Sequence, residues 1–357
     1  MRHALRLAER GLGNVASNPS VGCVIVSPKG QVVGRGWTQA GGRPHAETVA
    51  LAQAGDTARG ATAYVTLEPC AHHGVTPPCA DALVNAGVAR VVGAIVDPDP
   101  RVAGGGFSRL ESAGIAVTRG VLEHEAHALN AGFFKRVTEG RPLVALKIAQ
   151  SADGYVADAE GNSRWITSER ARAHGHLLRA RYDAIVAGIG TVLADDPLLT
   201  CRLAGLEART PLRVVFDTQG RLSPHSQLAQ TARQHRTLVF TKAASAADTL
   251  TKCGVEAAEI ALDPKGRPDV MAALRVLAAR GITRVLVEGG PALQASFLAA
   301  SAVDIIHLYR APLLLGAGGK AAISPGAPWQ LATAPRLTLI ERTPLGPDVL
   351  ESFTVEV

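Results

Sequence analysis

A chain of 357 residues, 47% hydrophobic and 19% charged, exceeds what most single cores hold and is far too apolar for a disordered protein. Its net charge of +6 is dispersed, and aromatic residues make up only 4%, which argues against the stacking platforms of single-strand nucleic-acid binders. No apolar run approaches the roughly 20 residues of a membrane span, and the opening MRHALRLAERGLG lacks the apolar stretch of a signal peptide, so a cytoplasmic protein without membrane or nucleic-acid partners is expected.

In chain order, the first part alternates strand-like and helix-like runs. VGCVIV (21–26) and QVVGRGW (31–37) read as strands, followed by a helix in HAETVALAQAG (45–55) and a strand in ATAYVTL (61–67). CADALVNAG (79–87) reads as a helix, ARVVGAIVD (89–97) as a strand, and FSRLESAG (107–114) and EHEAHALNAGFFKRV (123–137) as helices. Gly55, Gly87 and Gly114 stand where helices end, as C-terminal capping requires. The polar step TEGRP (138–142) then divides the chain into expected domains 1–140 and 141–357. The second part alternates again: strands in LVALKIAQS (143–151), YDAIVAG (182–188), LRVVFD (212–217), RTLVF (236–240), ITRVLVE (282–288) and VDIIHLYRA (303–311). Helices are read in 168–182, 269–281 and 291–301, with 225–237 as a surface connection. Both halves are expected to be layered α/β domains.

Five cysteines, an odd number, do not suit a disulfide framework, and a reducing cytoplasm argues against one. Cys23 lies within an apolar run and reads as core filler; Cys201 and Cys253 have no partner at ligand spacing. Cys70 and Cys79 differ. Upstream, His45 and Glu47 fall in the first turn of a helix, where both side chains can address a site beyond its end. Cys70 follows a strand and Cys79 opens a helix, whose partial positive charge favours thiolate. His45, Cys70 and Cys79 make three ligands for zinc and leave a fourth position open, the arrangement that activates water; Glu47, not a ligand, would move protons. The zinc deaminase pattern is H-x-E followed by P-C-x-x-C. Here eight residues separate the cysteines, and His72 and His73 lie among them.

The segments NPSVGCVIV, PHAE, GATAYVTLEPCAHHGVTPPCADALVNAGVARVV and DPDPRVAGGG resemble the deaminase half of the bifunctional riboflavin-biosynthesis deaminase–reductases, whose long HHG…TPPC loop they share. The resemblance implies a cytidine-deaminase-like α/β/α domain with one zinc ion per chain. It implies hydrolytic deamination of a diaminopyrimidinone that carries a ribosylamino 5-phosphate. Asn18 would meet the pyrimidine edge, and the Gly-rich AGGGFSRL (103–110), opening a helix, suits phosphate cradling.

In the second half, VLVEGGPALQASFL (285–298) places a glycine turn between a strand and a helix, another anion-binding arrangement, although no G-x-G-x-x-G follows its first strand. LKIAQSADGYVA, NSRWITS and GIGTVLADDPLLTCR resemble the reductase half of the same family, related in fold to dihydrofolate reductase. That resemblance implies a second α/β domain using NADPH to reduce the ribosylamino group to ribitylamino. By motif, Gln150, Trp165, Thr191, Asp195, Thr218, Gly290, Pro291, Ala292, Leu293, Gln294, Ala295 and Ser296 would contact the cofactor. Gln150 and Thr218 depart from the residues usual at those places. Ser163, Arg179, Leu199, Arg202 and Glu288 would hold the substrate, the two arginines suiting a phosphate. Lys147 and Asp153 are both candidates for the proton donor. A homo-oligomer is expected. Two rival readings belong to other classes: a nucleic-acid or nucleoside deaminase with an accessory domain, and a non-catalytic protein in which His72 or His73 closes a structural zinc site.

Overall fold

The computed structural model describes residues 1–72, 77–99, 103–323 and 329–356. The chain forms two compact units, Met1–Gly140 and Arg141–Val357.

In the first unit the strands are β1 (Gly22–Val26), β2 (Val32–Trp37), β3 (Thr62–Val65), β4 (Arg90–Gly93) and β5 (Ala116–Thr118). The helices are α1 (Arg2–Ala8), α2 (Ala46–Ala54), α3 (Cys79–Asn85), α4 (Gly105–Ser112) and α5 (Glu123–Thr138). The sheet order is β2-β1-β3-β4-β5. β1 is antiparallel to both neighbours, and β3, β4 and β5 run parallel. Helices expected to close at Gly55, Gly87 and Gly114 do so, all three glycines taking positive φ. β5, three residues long, carries too short a pattern to be read from sequence.

The packing of α2 is set by small residues. Alternate residues of β2 point to one face, and the two that face α2 are Gly34 and Gly36. A Cβ on Gly36 would lie 2.1 Å from the carbonyl oxygen of Ala46, and one on Gly34 would lie 2.3 Å from that of Ala50. Ala46, Ala50 and Ala54, spaced four apart, form the helical side of this contact and are buried. The helix backbone therefore rests directly on the strand, which fixes its N-terminus. Gly36→Ala is expected to lift the first turn of α2, destabilise the unit by about 1–3 kcal/mol and weaken metal binding. A melting curve and a zinc titration check this.

In the second unit the elements are β6 (Leu143–Ser151), β7 (Tyr155–Ala157), α6 (Glu169–Ala180), β8 (Ala184–Gly188), α7 (Ile189–Asp195), β9 (Leu212–Phe216) and α8 (Gln227–Gln230). They continue with β10 (Thr237–Phe240), α9 (Ala244–Lys252), β11 (Glu256–Ala258), α10 (Val270–Ala279), β12 (Arg284–Val287), α11 (Pro291–Ala299) and β13 (Ile305–Ala311). β14 (Lys320–Ala321), β15 (Arg336–Leu345) and β16 (Asp348–Glu356) end the chain. A nine-stranded sheet has the order β11-β10-β9-β8-β12-β6-β13-β16-β15. It is parallel through β13, and β16 and β15 add an antiparallel edge. Its parallel strands are near-continuous apolar runs because both faces are covered. Val186, Val214 and Leu238 enter one core with Leu274 and Phe297, while Ile185, Val215 and Val239 enter another with Val192 and Leu228. Segment 225–237, expected as a surface connection, instead buries Leu228 and Ala229 completely.

Candidate active sites

In the first unit β3 ends at Val65, and the chain runs through Glu68 and Pro69 to Cys70; Cys79 is the first residue of α3, and His45 is the N-cap of α2. These three side chains converge, all their donor atoms lying within 4.8 Å of one another. His45 Nδ1 is 3.3 Å from Cys79 Sγ and 3.7 Å from Cys70 Sγ. Those edges match a tetrahedron with metal–ligand bonds of about 2.0–2.3 Å. One imidazole and two thiols, with no other protein donor joining them among the described residues, fit zinc with an open position. His72 is exposed and stays outside this set, though it lines the same cavity; His73 lies outside the described residues.

The electrostatics follow from the proximity of the groups. The Cys79 thiol hydrogen-bonds the Cys70 sulfur and, with His45, holds Cys70 down at about 4. The same contact, together with burial, pushes Cys79 up. Glu47 is 3% exposed and lines the cavity. Burial pushes its carboxyl up to about 7 against the pull of His45, and it also touches Cys79. A cation at the three donors would favour the thiolates of Cys70 and Cys79, the neutral imidazole of His45 and the ionised carboxylate of Glu47.

The cavity has a volume of about 530 Å³. Asn18, Arg43, Arg136, Phe133, Asp97 and Asp99 share its walls with the His45–Glu47 turn. Asn18 donates one of its two Nδ2 hydrogens to the Gly42 carbonyl at 2.9 Å, which fixes the amide with its oxygen and second N–H still to be used. Its loop is clamped from α5: Asn130, 3% exposed, accepts from Ser20 N–H at 2.8 Å and donates to Ser20 C=O at 3.0 Å. Asn130 carried no recognisable signal, being one polar residue within a helix. Burial pushes Asp97 up to about 6, with Asp99 and Glu68 adding to the effect.

The expected phosphate cradle at 103–110 is overturned. The amides of Gly104, Gly106 and Phe107 all donate to the Glu68 carboxylate, at 2.9, 2.8 and 3.1 Å. The N-terminus of α4 already holds an anion, and that anion belongs to the chain itself.

In the second unit the candidate residues gather at the C-terminal ends of parallel strands, where open α/β sheets bind ligands. Gln150 lies near the end of β6, Thr191 in α7 just after β8, Thr218 just after β9, and Glu288 and Gly290 just after β12. Gly290 caps α11, and its N–H donates to Thr191 Oγ1 at 3.0 Å. Pro291 to Ser296 form the first turns of that helix. Ala292 and Ser296 are more open, whereas Leu293 packs on the core and Ala295 is buried. Gln294 donates to Gly289 C=O at 2.9 Å, and its buried Oε1 has no partner. A donor from a bound ligand would satisfy that oxygen, so the turn fits a nucleotide cofactor.

Arg179 grips Glu288 through Nε and Nη2 at 2.8 and 2.9 Å, and donates from Nη1 to Thr200 C=O at 2.9 Å. Its guanidinium fork is thus filled by a carboxylate, not open to a phosphate as the sequence suggested. Arg202 remains exposed beside His176, 3.4 Å away, and is the arginine that presents charge outward. Leu199, which precedes Thr200, has φ +53° and its side chain buried in the core, so it can offer a ligand only its backbone. Ser163, Trp165 and Asp195 lie on exposed segments. Trp165 is 68% exposed, which rules out a core role; the Arg172 guanidinium lies 4.4 Å from its ring. Arg164 ties this segment to Asp195, donating to its carbonyl at 3.3 Å. Lys147 Nζ stands 3.7 Å from Glu288, inside the site. Asp153 accepts from Ser151, Leu315 and Gly316 and serves to hold a turn. That contrast leaves Lys147 as the proton-donor candidate.

Residues 142–350 match the RibD C-terminal domain model, and residues 1–95 match the zinc-binding region of cytidine and deoxycytidylate deaminases. The chain is 43% identical to the riboflavin biosynthesis protein RibD of Escherichia coli, over 98% of this chain and 96% of that one. An Acinetobacter baumannii RibD structure superposes with a TM-score of 0.89 at 40% identity, covering 100% of this chain and 98% of the other. A Thermotoga maritima structure described as a diaminohydroxyphosphoribosylaminopyrimidine deaminase/5-amino-6-(5-phosphoribosylamino)uracil reductase gives 0.88 at 37% identity, covering 99% and 97%. The chain therefore belongs to the RibD family of riboflavin biosynthesis enzymes and joins a hydrolytic deaminase and a reductase in one polypeptide.

Proposed function

We propose that residues 1–140 deaminate a diaminopyrimidinone bearing a ribosylamino 5-phosphate, and that residues 141–357 then reduce its ribosylamino group with NADPH. The observation that carries the first half is the open three-donor set of His45, Cys70 and Cys79 with buried Glu47 beside it. One zinc ion held there would acidify water toward neutral pH, making it a nucleophile. Glu47 takes the proton released as the C–O bond forms at the ring carbon bearing the 2-amino group. It gives that proton to the ring nitrogen, then carries the second proton, from the new hydroxyl group, to the amine, which departs as ammonia as the C–N bond breaks and the carbonyl forms. Asn18 offers its oxygen to the pyrimidine edge.

In the second unit, the Gly290 turn and the first residues of α11 hold the dinucleotide, with Gln150, Trp165, Thr191, Asp195 and Thr218 around it. NADPH bound there would supply the hydride that C1 of the ring-opened ribose accepts. Lys147, placed against Glu288, delivers the accompanying proton. Arg202, with Ser163 and the Leu199 backbone, holds the substrate phosphate end, while Arg179 and Glu288 fix one another within the site. The enzyme works in the cytoplasm and assembles as a homo-oligomer. The ten-residue edge strand β15, with Leu337, Leu339 and Ile340 47%, 52% and 56% exposed, supports that assembly.

A chelator is expected to abolish deamination while reduction of the deaminated compound continues at full rate, faster with NADPH than with NADH. Loss of both activities, or of neither, contradicts the division of labour.

A further inference from the structure

Glu68 stands two residues before Cys70, is 3% exposed and accepts four backbone hydrogen bonds. Oε1 takes Gly106 N–H and Phe107 N–H at 2.8 and 3.1 Å; Oε2 takes Gly104 N–H and Asp97 N–H at 2.9 and 3.2 Å. The carboxylate, an acceptor-only group, is thus saturated by backbone donors. Between it and the metal ligand lies only Pro69, whose φ is locked by its ring. Gly106 presses on that proline: a Cβ there would lie 1.8 Å from Pro69 O. Closely spaced zinc-site cysteines, two to four residues apart, are aligned by the short turn between them. Here eight residues intervene, so each thiol needs its own anchor. Cys79 has α3, and its N–H reaches Cys70 Sγ at 3.3 Å.

We propose that Glu68 is the positioning residue for Cys70, docking the strand exit onto the N-terminus of α4 and so performing the alignment that the long loop cannot. This rests on the deaminase reading of the site.

The test is a competitive zinc titration of the full chain as wild type, Glu68→Gln and Glu68→Asp, with the visible spectrum of the cobalt-substituted forms. The carboxamide turns one acceptor into a donor facing backbone N–H groups. Zinc affinity of Glu68→Gln is expected to fall about 10–100-fold and the cobalt bands to shift, with the thermal transition of the first unit retained. Glu68→Asp, which keeps the charge, should recover part of the affinity. Wild-type affinity and an unchanged cobalt spectrum in Glu68→Gln would overturn the proposal. So would zinc loss accompanied by loss of that thermal transition, since Glu68 would then be holding the fold as a whole. A wild-type chain that takes up no zinc would instead sink the deaminase reading itself.

Discussion

Glu47→Gln is expected to keep zinc and to lose deamination by about 10²–10⁴-fold, the usual worth of a positioned general acid–base group. The carboxamide has nearly the same volume, so α2 stays seated on Gly34 and Gly36 and His45 stays in place. What disappears is a group able to accept the two protons of the attacking water in turn, delivering one to the ring and the other to the leaving amine. On the proposed mechanism the loss is expected in turnover rather than in substrate affinity, because a proton-transfer group acts on protons that move in the transition state. Reduction in the second unit is expected to proceed unchanged. A mutant that deaminates at the normal rate would remove Glu47 from the mechanism. One that loses zinc would show it to be part of the metal-binding framework.

Glu288→Gln carries the largest expected effect in the second unit. Burial pushes the Glu288 carboxyl up, but Arg179 and Lys147 outweigh it and hold the group down at about 2. Arg179 meets it bidentately, and the carboxylate side chain is only 9% exposed. Neutralising it leaves two cations facing each other in a nearly dry site, and breaking a buried pair in this way costs about 3–5 kcal/mol. Reduction is expected to be lost, since Lys147 loses the partner that orients it, while deamination continues. The pH dependence has a defined sign. Because the folded value lies below the ordinary carboxylate value of 4.5, Glu288 contributes its stability above pH 4.5. That contribution, about 3 kcal/mol, is lost as pH falls toward 2. The calorimetric transition of the second unit should therefore drop more steeply below pH 4.5 in wild type than in Glu288→Gln. Equal slopes would show that the pair contributes nothing to folding.

Several site features were legible in the sequence because each carried a local pattern. His45 and Glu47 are two apart at a helix start, Cys70 follows a strand and Cys79 starts a helix, and these positions bring the three donors together. The glycine turn before α11 was legible for the same reason, as a break between a periodic strand and a periodic helix. Features set by distant partners were not. Glu68 lies inside the motif, yet its role depends on amides 29 to 39 residues away. The same bonds turned an apparent phosphate cradle into an internal cap. Arg179 has the right chemistry for phosphate, but Glu288, 109 residues on, fills its fork. Asn130 clamps Ser20 across 110 residues. A residue type predicts what a group can bind; which partner reaches it first is decided by tertiary packing.

The most direct test of the two-step account is mass analysis of the diaminopyrimidinone ribosylamino phosphate after incubation with the zinc-loaded chain, with and without NADPH. Without NADPH, the account predicts a single product in which oxygen has replaced one amino group. With NADPH, that product gains two hydrogens. Two hydrogens added to a compound that still carries both amino groups, or no change in either condition, would contradict it.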